Sequence, residues 1–495
     1  MTSPPMSDPA AGLAPRPPSL RPWRELWAID QDPRWIALAQ TRRGKLALLL
    51  AFAAAAALAG VSLPYVAIAA AFAWWPAWRQ AIVLGAAGLA LARSSGVWLQ
   101  VIAPVVAQEG VAATTAKAAI FASLGAYFLL AWGALLLVRR HPTLWLARRP
   151  VLAQLAAAAL LCALASLPML HGLPRVLAWS FLGVFTAYLW YFAYAVQDQR
   201  SRHAGPLPFQ MGILHPFWRS SVGAFTPTPF GKGAAFLRKH QAKTAQELAV
   251  TQLKALKLLA WTLVLIALRR TLVELLEVRL GIPPTALVYA AYLGGEPLPV
   301  ASSWASLVWA TLGGTLNLAI WGHKIIAVAR LAGFRLPRNT WRPLESRTLA
   351  EFWNRYYYYF KELLVEFFFF PTFLRMFRNH PRLRVFFATF VAAGVGNALY
   401  HFIRDIGHVA SMGWQAASVG FSSYLFYCVL LATGIGISQA RVTAGHKPPA
   451  SFLGSLRAVL CVWTFFVCLQ VFGDETRLFP LGDRLAFFIS LFGIS

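Results

Sequence analysis

Residues 351–408 read EFWNRYYYYFKELLVEFFFFPTFLRMFRNHPRLRVFFATFVAAGVGNALYHFIRDIGH. An aromatic and polar cluster opens the stretch, FFFFP and a basic patch follow, and an apolar run with His401 inside it closes it. Asn397, His401, Arg404, Asp405 and His408 interrupt a segment that is otherwise apolar enough for lipid. Polar side chains at such a depth face a cavity or a neighbouring helix, because hydrocarbon offers them no partner. The stretch therefore predicts a helical membrane protein with a polar interior.

The rest of the chain agrees. Its 495 residues are 58% hydrophobic and 13% charged, where a soluble chain carries about 25% charged residues. The mean hydropathy is +0.56. Several runs reach the roughly 20 apolar residues that a bilayer crossing needs. A β-barrel would show short alternating strands, and none is visible. The fold expected is an all-α polytopic membrane protein with about eleven or twelve transmembrane or re-entrant helices at bilayer length. The net charge of +27 is that of Lys and Arg gathered in cytoplasmic loops against anionic lipid, not of a nucleic-acid binder. Cys162, Cys428, Cys461 and Cys468 have neither metal-ligand nor disulfide spacing and read as small buried hydrophobes. No metal site is expected.

Three regions are expected: a Pro-rich tail over 1–40, disordered or on the membrane surface and without a removable signal peptide; transmembrane helices over 41–200; and a catalytic core over 201–495. Thr41 to Lys45 is a basic flank that sets the start on the cytoplasmic side. The run from Leu46 to Trp75 contains Pro64 and reads as two short spans, and Arg93 interrupts the next one. Ala118–Val138, Val151–Leu170 and Val176–Val196 follow, with basic loops after Val138 and Val196 on one side. Gly233 to Lys257 reads as an amphipathic surface helix. Arg269, Arg270, Glu274 and Glu277 read as snorkelling or mutually paired. Trp304–Trp321 crosses back. FFFFP, with basic residues on both sides, reads as re-entrant or in-plane. Val385–Phe402, Val419–Ile437, Leu453–Val471 and a short Leu485–Ile494 complete the set.

On a helix, Asn397, His401, Asp405 and His408 form one stripe. A hydrogen-bonded helix seam and a reactive site explain it equally well from spacing alone. A neutral imidazole could take the proton of an attacking alcohol, typically worth roughly 10²–10⁴-fold. Asp405 could orient the ring, and Asn397 or Asn354 could stabilise an oxyanion. The cluster from Glu351 to Phe360 reads either as an aromatic belt or as a site for a thioester donor entering from the cytoplasm, with Trp353, Asn354, Arg355 and Tyr356 as contacts.

Gly333-Phe334-Arg335-Leu336-Pro337, then Glu351-Phe352-Trp353-Asn354-Arg355-Tyr356-Tyr357, then Leu399-Tyr400-His401 resemble the ordered motifs of the bacterial membrane-bound O-acyltransferase (MBOAT) family, which includes alginate O-acetylases and the D-alanyl transferase of teichoic acids. The similarity covers about 324–436, with weaker support back to His215. The family's catalytic histidine aligns with His401, and its other histidine falls at Tyr357. The resemblance implies spans ringing a thin centre, a donor tunnel from the cytoplasm and an acceptor entrance opposite, with His401 where they meet. It implies transfer of an acyl group, acetyl first, from acyl-CoA or another acyl thioester to a hydroxyl of a glycan or a lipid alcohol, in a bacterial inner membrane, with membrane lipid and a possible protein partner around it and no bound cofactor. A transporter using His401, Asp405 and His408 as a proton relay, or an inactive scaffold, are the competing expectations.

Overall fold

The computed structural model describes residues 28–93, 95–201, 204–215, 229–473 and 479–494. Among them every extended element is helical, and one isolated antiparallel bridge joins Gln241 to Phe334. Five helices are long and apolar enough to cross a membrane: Ala113–Arg140, Leu173–Arg200, Pro381–Arg404, Gly407–Thr443 and Phe452–Gln470. The chain is an all-α membrane protein.

Of the 1–40 tail, residues 1–27 lie outside the described residues. The remainder is ordered, with Asp32 capping the helix Pro33–Gln40 and Asp30 gripping Lys257 at 2.7 Å. The apolar run after Lys45 splits as expected, but at Gly60. There φ is +70°, and the N–H groups of Gly60 and Val61 return to the carbonyls of Ala57 and Ala56. This left-handed cap closes Arg42–Leu58, and Pro64 opens Leu63–Trp74, where a missing N–H costs nothing.

Leu173–Arg200 is the centre of the molecule. Its apolar window is 78% buried, against 17% for Phe452–Gln470 on the periphery. A helix apolar all round needs neighbours on every side. One core joins Arg42–Leu58 and Leu63–Trp74 to Ala245–Val273 and the end of Val300–Leu331. Another joins Leu173–Arg200 to Ala113–Arg140 and to Ile406–Ala417. Both cores draw on residues before and after 200. Arg139 donates to the carbonyl of Gly205 and Arg200 to that of Ala147, which brings the two basic loops onto one face.

The stretch 233–257 is not a surface helix. Its chain breaks after the short helix Ala234–His240 and restarts as Ala245–Val273, one continuous helix. Two polar positions of the first half point inward, Thr251 and Gln252, the latter donating to the carbonyl of Leu331, while Gln246 and Lys254 stay exposed. Arg269 and Arg270 do not pair with Glu274 and Glu277. Glu274 meets Arg279, and Glu277 accepts from the Trp309 indole.

FFFFP belongs to a helical hairpin. Tyr358–Leu364, the π-turn Val365–Phe369 and Phe370–Phe373 run on without a break, 7, 5 and 4 residues long, too short together for the roughly 20-residue crossing. The chain turns through 374–380 and returns as Pro381–Arg404, which carries its own π-turn at Val391–Gly396. The two π-turns face each other at Gly396, where a Cβ would come within 2.8 Å of the Phe368 ring. Glycine lets the helices touch there. Cys162 and Cys428 are buried as expected, but Cys461 is exposed, on the outer flank of the peripheral helix.

Candidate functional site

The hairpin carries its two ends to one place. Helix Leu349–Tyr356 precedes it, with Thr348 as N-cap. Thr348 Oγ1 accepts from the Glu351 N–H, and Glu351 Oε2 accepts from the Arg347 N–H, a reciprocal capping arrangement. The same Glu351 pairs with Arg355. The helix ends at Tyr357, whose φ of −140° and ψ of 84° are not helical. Its last carbonyls need partners from outside the helix, and segment 337–341 supplies them. The Trp341 N–H donates to Arg355 O, Thr340 Oγ1 donates to Tyr356 O, and Asn339 O accepts from the Tyr358 N–H. Tyr359 Oη donates to Pro337 O at 3.0 Å. The Gly333–Pro337 motif thus lies outside the cavity and leads into the strap that fixes the bend at Tyr357.

That bend and the end of Pro381–Arg404 border a cavity of about 550 Å³ together with one face of Val300–Leu331, a volume suited to a small ligand. His401, Asn397, Trp353, Tyr356 and Tyr357 line it. The His401 ring lies 4.5 Å from that of Tyr424 and 5.9 Å, edge-on, from that of Phe360. Tyr424 stacks on Tyr427 at 5.0 Å, and Trp321 meets Tyr357 edge-on. Asn397 is 2% exposed, and its Oδ1 finds no hydrogen-bond partner among the described residues. An unmet buried carbonyl costs about 1–3 kcal/mol unless a donor in the cavity, water or ligand, reaches it.

The other expected residues are placed differently. Asn354 is exposed and does not line the cavity. Of the two candidate oxyanion donors, only Asn397 therefore reaches it. Arg355 serves the ion pair with Glu351. The stripe through His401 is shorter than the helical spacing predicts: the helix ends at Arg404, Asp405 caps it with its N–H on His401 O, and His408 belongs to the next helix. The Asp405 carboxylate holds the Arg404 guanidinium through two contacts, 2.6 and 3.1 Å. Arg404 itself lines the cavity, so its charge is compensated in place.

Sequence reasoning missed the opposite wall. Thr311, Gly314, Leu318 and Trp321 recur at helical spacing on Val300–Leu331, with Asn317 beside them, and Gln470 arrives from Phe452–Gln470. Asn317 carried a signal, a lone amide inside an apolar run, the same signal that marked Asn397. No family model matches the chain, and no curated protein sequence matches it.

Proposed function

We propose that this chain is a multi-pass O-acyltransferase of a bacterial cell membrane, MBOAT-like in its eleven- or twelve-helix plan (about that number at bilayer length), and that His401 is its general base. The observation that carries the reading is the convergence of two motif segments distant in sequence, Phe352–Tyr357 and Tyr400–His401, on one cavity with the imidazole in its wall. The donor is an acyl thioester, acetyl first, reaching the cavity from the cytoplasm along Trp353 and Tyr356. The acceptor is a hydroxyl of a glycan, or of a lipid alcohol.

The chemistry balances on the residues present. His401 takes the hydroxyl proton as the oxygen attacks the thioester carbonyl carbon, which typically contributes roughly 10²–10⁴-fold. In this reading the donor to the oxyanion that develops is the Nδ2 amide group of Asn397, not its unpartnered Oδ1, a contribution on the order of 10²–10³-fold. Collapse breaks the carbon–sulfur bond, and the imidazolium returns the proton to the departing thiolate. Aromatic walls exclude water, which would otherwise hydrolyse the donor.

The test uses purified protein in detergent with radiolabelled acetyl-CoA, wild type beside His401→Ala at matched melting temperature, scored for thioester cleavage and transfer. Loss of turnover in the variant is expected. Turnover that survives His401→Ala refutes the assignment. If several acyl thioesters fail with wild type, ion flux in proteoliposomes distinguishes a transporter from a scaffold.

A further inference from the structure

A second hollow, of about 400 Å³, lies at the N-terminal end of helix Leu349–Tyr356 and shares no lining residue with the cavity. It is cut between the last turns of Gly407–Thr443 and the middle turns of Phe452–Gln470, two helices of membrane-crossing length. Its two ends differ in chemistry. At the loop end stand Arg347, Arg441, His446 and Lys447. One to two turns further along the helices the walls become Ile437, Val462 and Phe465.

The basic end is open to a ligand. Arg441, His446 and Lys447 are exposed and make no ion pair among the described residues. No carboxylate lines the hollow. Glu351, four residues from Arg347, accepts from the Arg347 N–H and pairs with Arg355. Arg347 also donates to the carbonyl of Pro449 at 3.3 Å, which ties the two loops into one rim. At the apolar end Ile437 is 50% exposed; near the loop end Val442 is 50% exposed, and Phe452 and Leu453, outside the lining, reach 80% and 76%. Side chains of this kind on a membrane-crossing helix face lipid.

We propose that this groove binds an anionic phospholipid, with its phosphate on Arg441 and Lys447 and one acyl chain along Ile437 and Phe465. Basic pockets between membrane helices at the cytoplasmic surface have the charge to select such headgroups. The assignment does not depend on the acyltransferase reading, because the groove and the cavity share no lining residue. A phosphate joined to an apolar chain is the chemistry the groove recognises, and a free phosphate or a soluble nucleotide thioester shares its polar half.

Native mass spectrometry of the full chain in neutral detergent tests this, with phosphatidylglycerol and phosphatidylcholine of identical chains as probes. Wild type retains phosphatidylglycerol in preference. Arg441→Gln with Lys447→Gln lowers that retention by about fivefold per side chain removed. Arg375→Gln with Arg378→Gln, an equal charge loss on the exposed hairpin turn, leaves it unchanged. Ile437→Trp, which fills the apolar half, also lowers it. Equal loss in the hairpin-turn variant would mean a bulk charge effect and overturn the site. No preference for phosphatidylglycerol, no effect of Ile437→Trp, or displacement of the lipid by inorganic phosphate or coenzyme A would each overturn the lipid assignment.

Discussion

Lys232 is the side chain that docks the hairpin, and its removal shows how the site is held. Its Nζ lies 3.0 Å from Glu362 Oε2 and 3.9 Å from Glu366 Oε2, and 4.9 Å above the Phe236 ring. The lysine side chain is 10% exposed, and the carboxylates are 20% and 38% exposed. Lys232→Met keeps the length and the apolar contact and removes the charge. Glu362 then keeps Lys361 at 3.3 Å, while Glu366, one turn away, faces it as a like charge. Breaking a fully buried pair costs about 3–5 kcal/mol; with partly exposed carboxylates the loss is about 2–3 kcal/mol. An unfolding entropy of about 2.1 cal/mol/K per residue, over 495 residues, converts this to a fall of about 2–3 °C in the melting midpoint. Tryptophan fluorescence of the detergent-solubilised protein reads it. Lys232→Met with Glu362→Gln together should cost less than the two single changes added, since neither charge is then left without its partner. An unchanged midpoint for Lys232→Met, or strict additivity of the pair, would refute the docking role. Because the hairpin begins at Tyr358, the change should also lower turnover by loosening the bend at Tyr357.

Three further outcomes follow from the same geometry. At the turns outside the spans, Glu109 accepts from the Gly172 N–H at 2.6 Å and from Arg175 at 2.8 Å, and that backbone bond, aided by the guanidinium, holds its carboxyl below the usual range. Its stabilising effect is present above the ordinary carboxylate pKa of about 4.3 and is lost as pH falls through the lower folded value. Glu109→Gln should therefore melt below wild type at neutral pH, with the two curves converging in acid; a constant gap across pH would exclude this. Asn397→Ala should lower acyl transfer by about 10²–10³-fold, whereas Asn354→Ala, on the exposed face, should leave it unchanged; equal effects would remove Asn397 from the mechanism. Cysteines at Glu345 and Ser451 should react with an impermeant reagent from one side of the membrane, since Arg347 bridges to Pro449, and a cysteine at Ser346, fully buried, should stay silent until unfolding. Labelling of 345 and 451 from opposite sides would break the topology.

Helical class, the location of the apolar runs and the polar interruption around His401 were legible because each is a local property. Apolar length, basic flanks and a polar residue in an apolar run need no knowledge of neighbours. Boundaries set by capping were legible in part. Thr348 and Glu351 carry a capping pattern in the open, whereas the end of Arg42–Leu58 is decided at Gly60 rather than at the more conspicuous Pro64. The inward turn of 245–257 was not legible. Polar side chains such as Gln252 and Lys257 look like a solvated face until their partners, Leu331 O and Asp30, are brought beside them.

Composition and pattern alone therefore determined that this chain is a helical membrane protein and singled out Asn397, His401 and the aromatic cluster after Glu351. Only the tertiary structure decided which of these share a cavity. It set Asn354 and Arg355 aside, gave Asp405 to Arg404, and brought Asn317 and Gln470 to the opposite wall. The physical reason is that a helix specifies its own face every turn, but what that face meets depends on contacts between segments far apart in the chain. Those contacts are the hairpin folding back on itself, the strap from 337–341 and the Lys232 ion pair, none of which leaves a trace in local spacing.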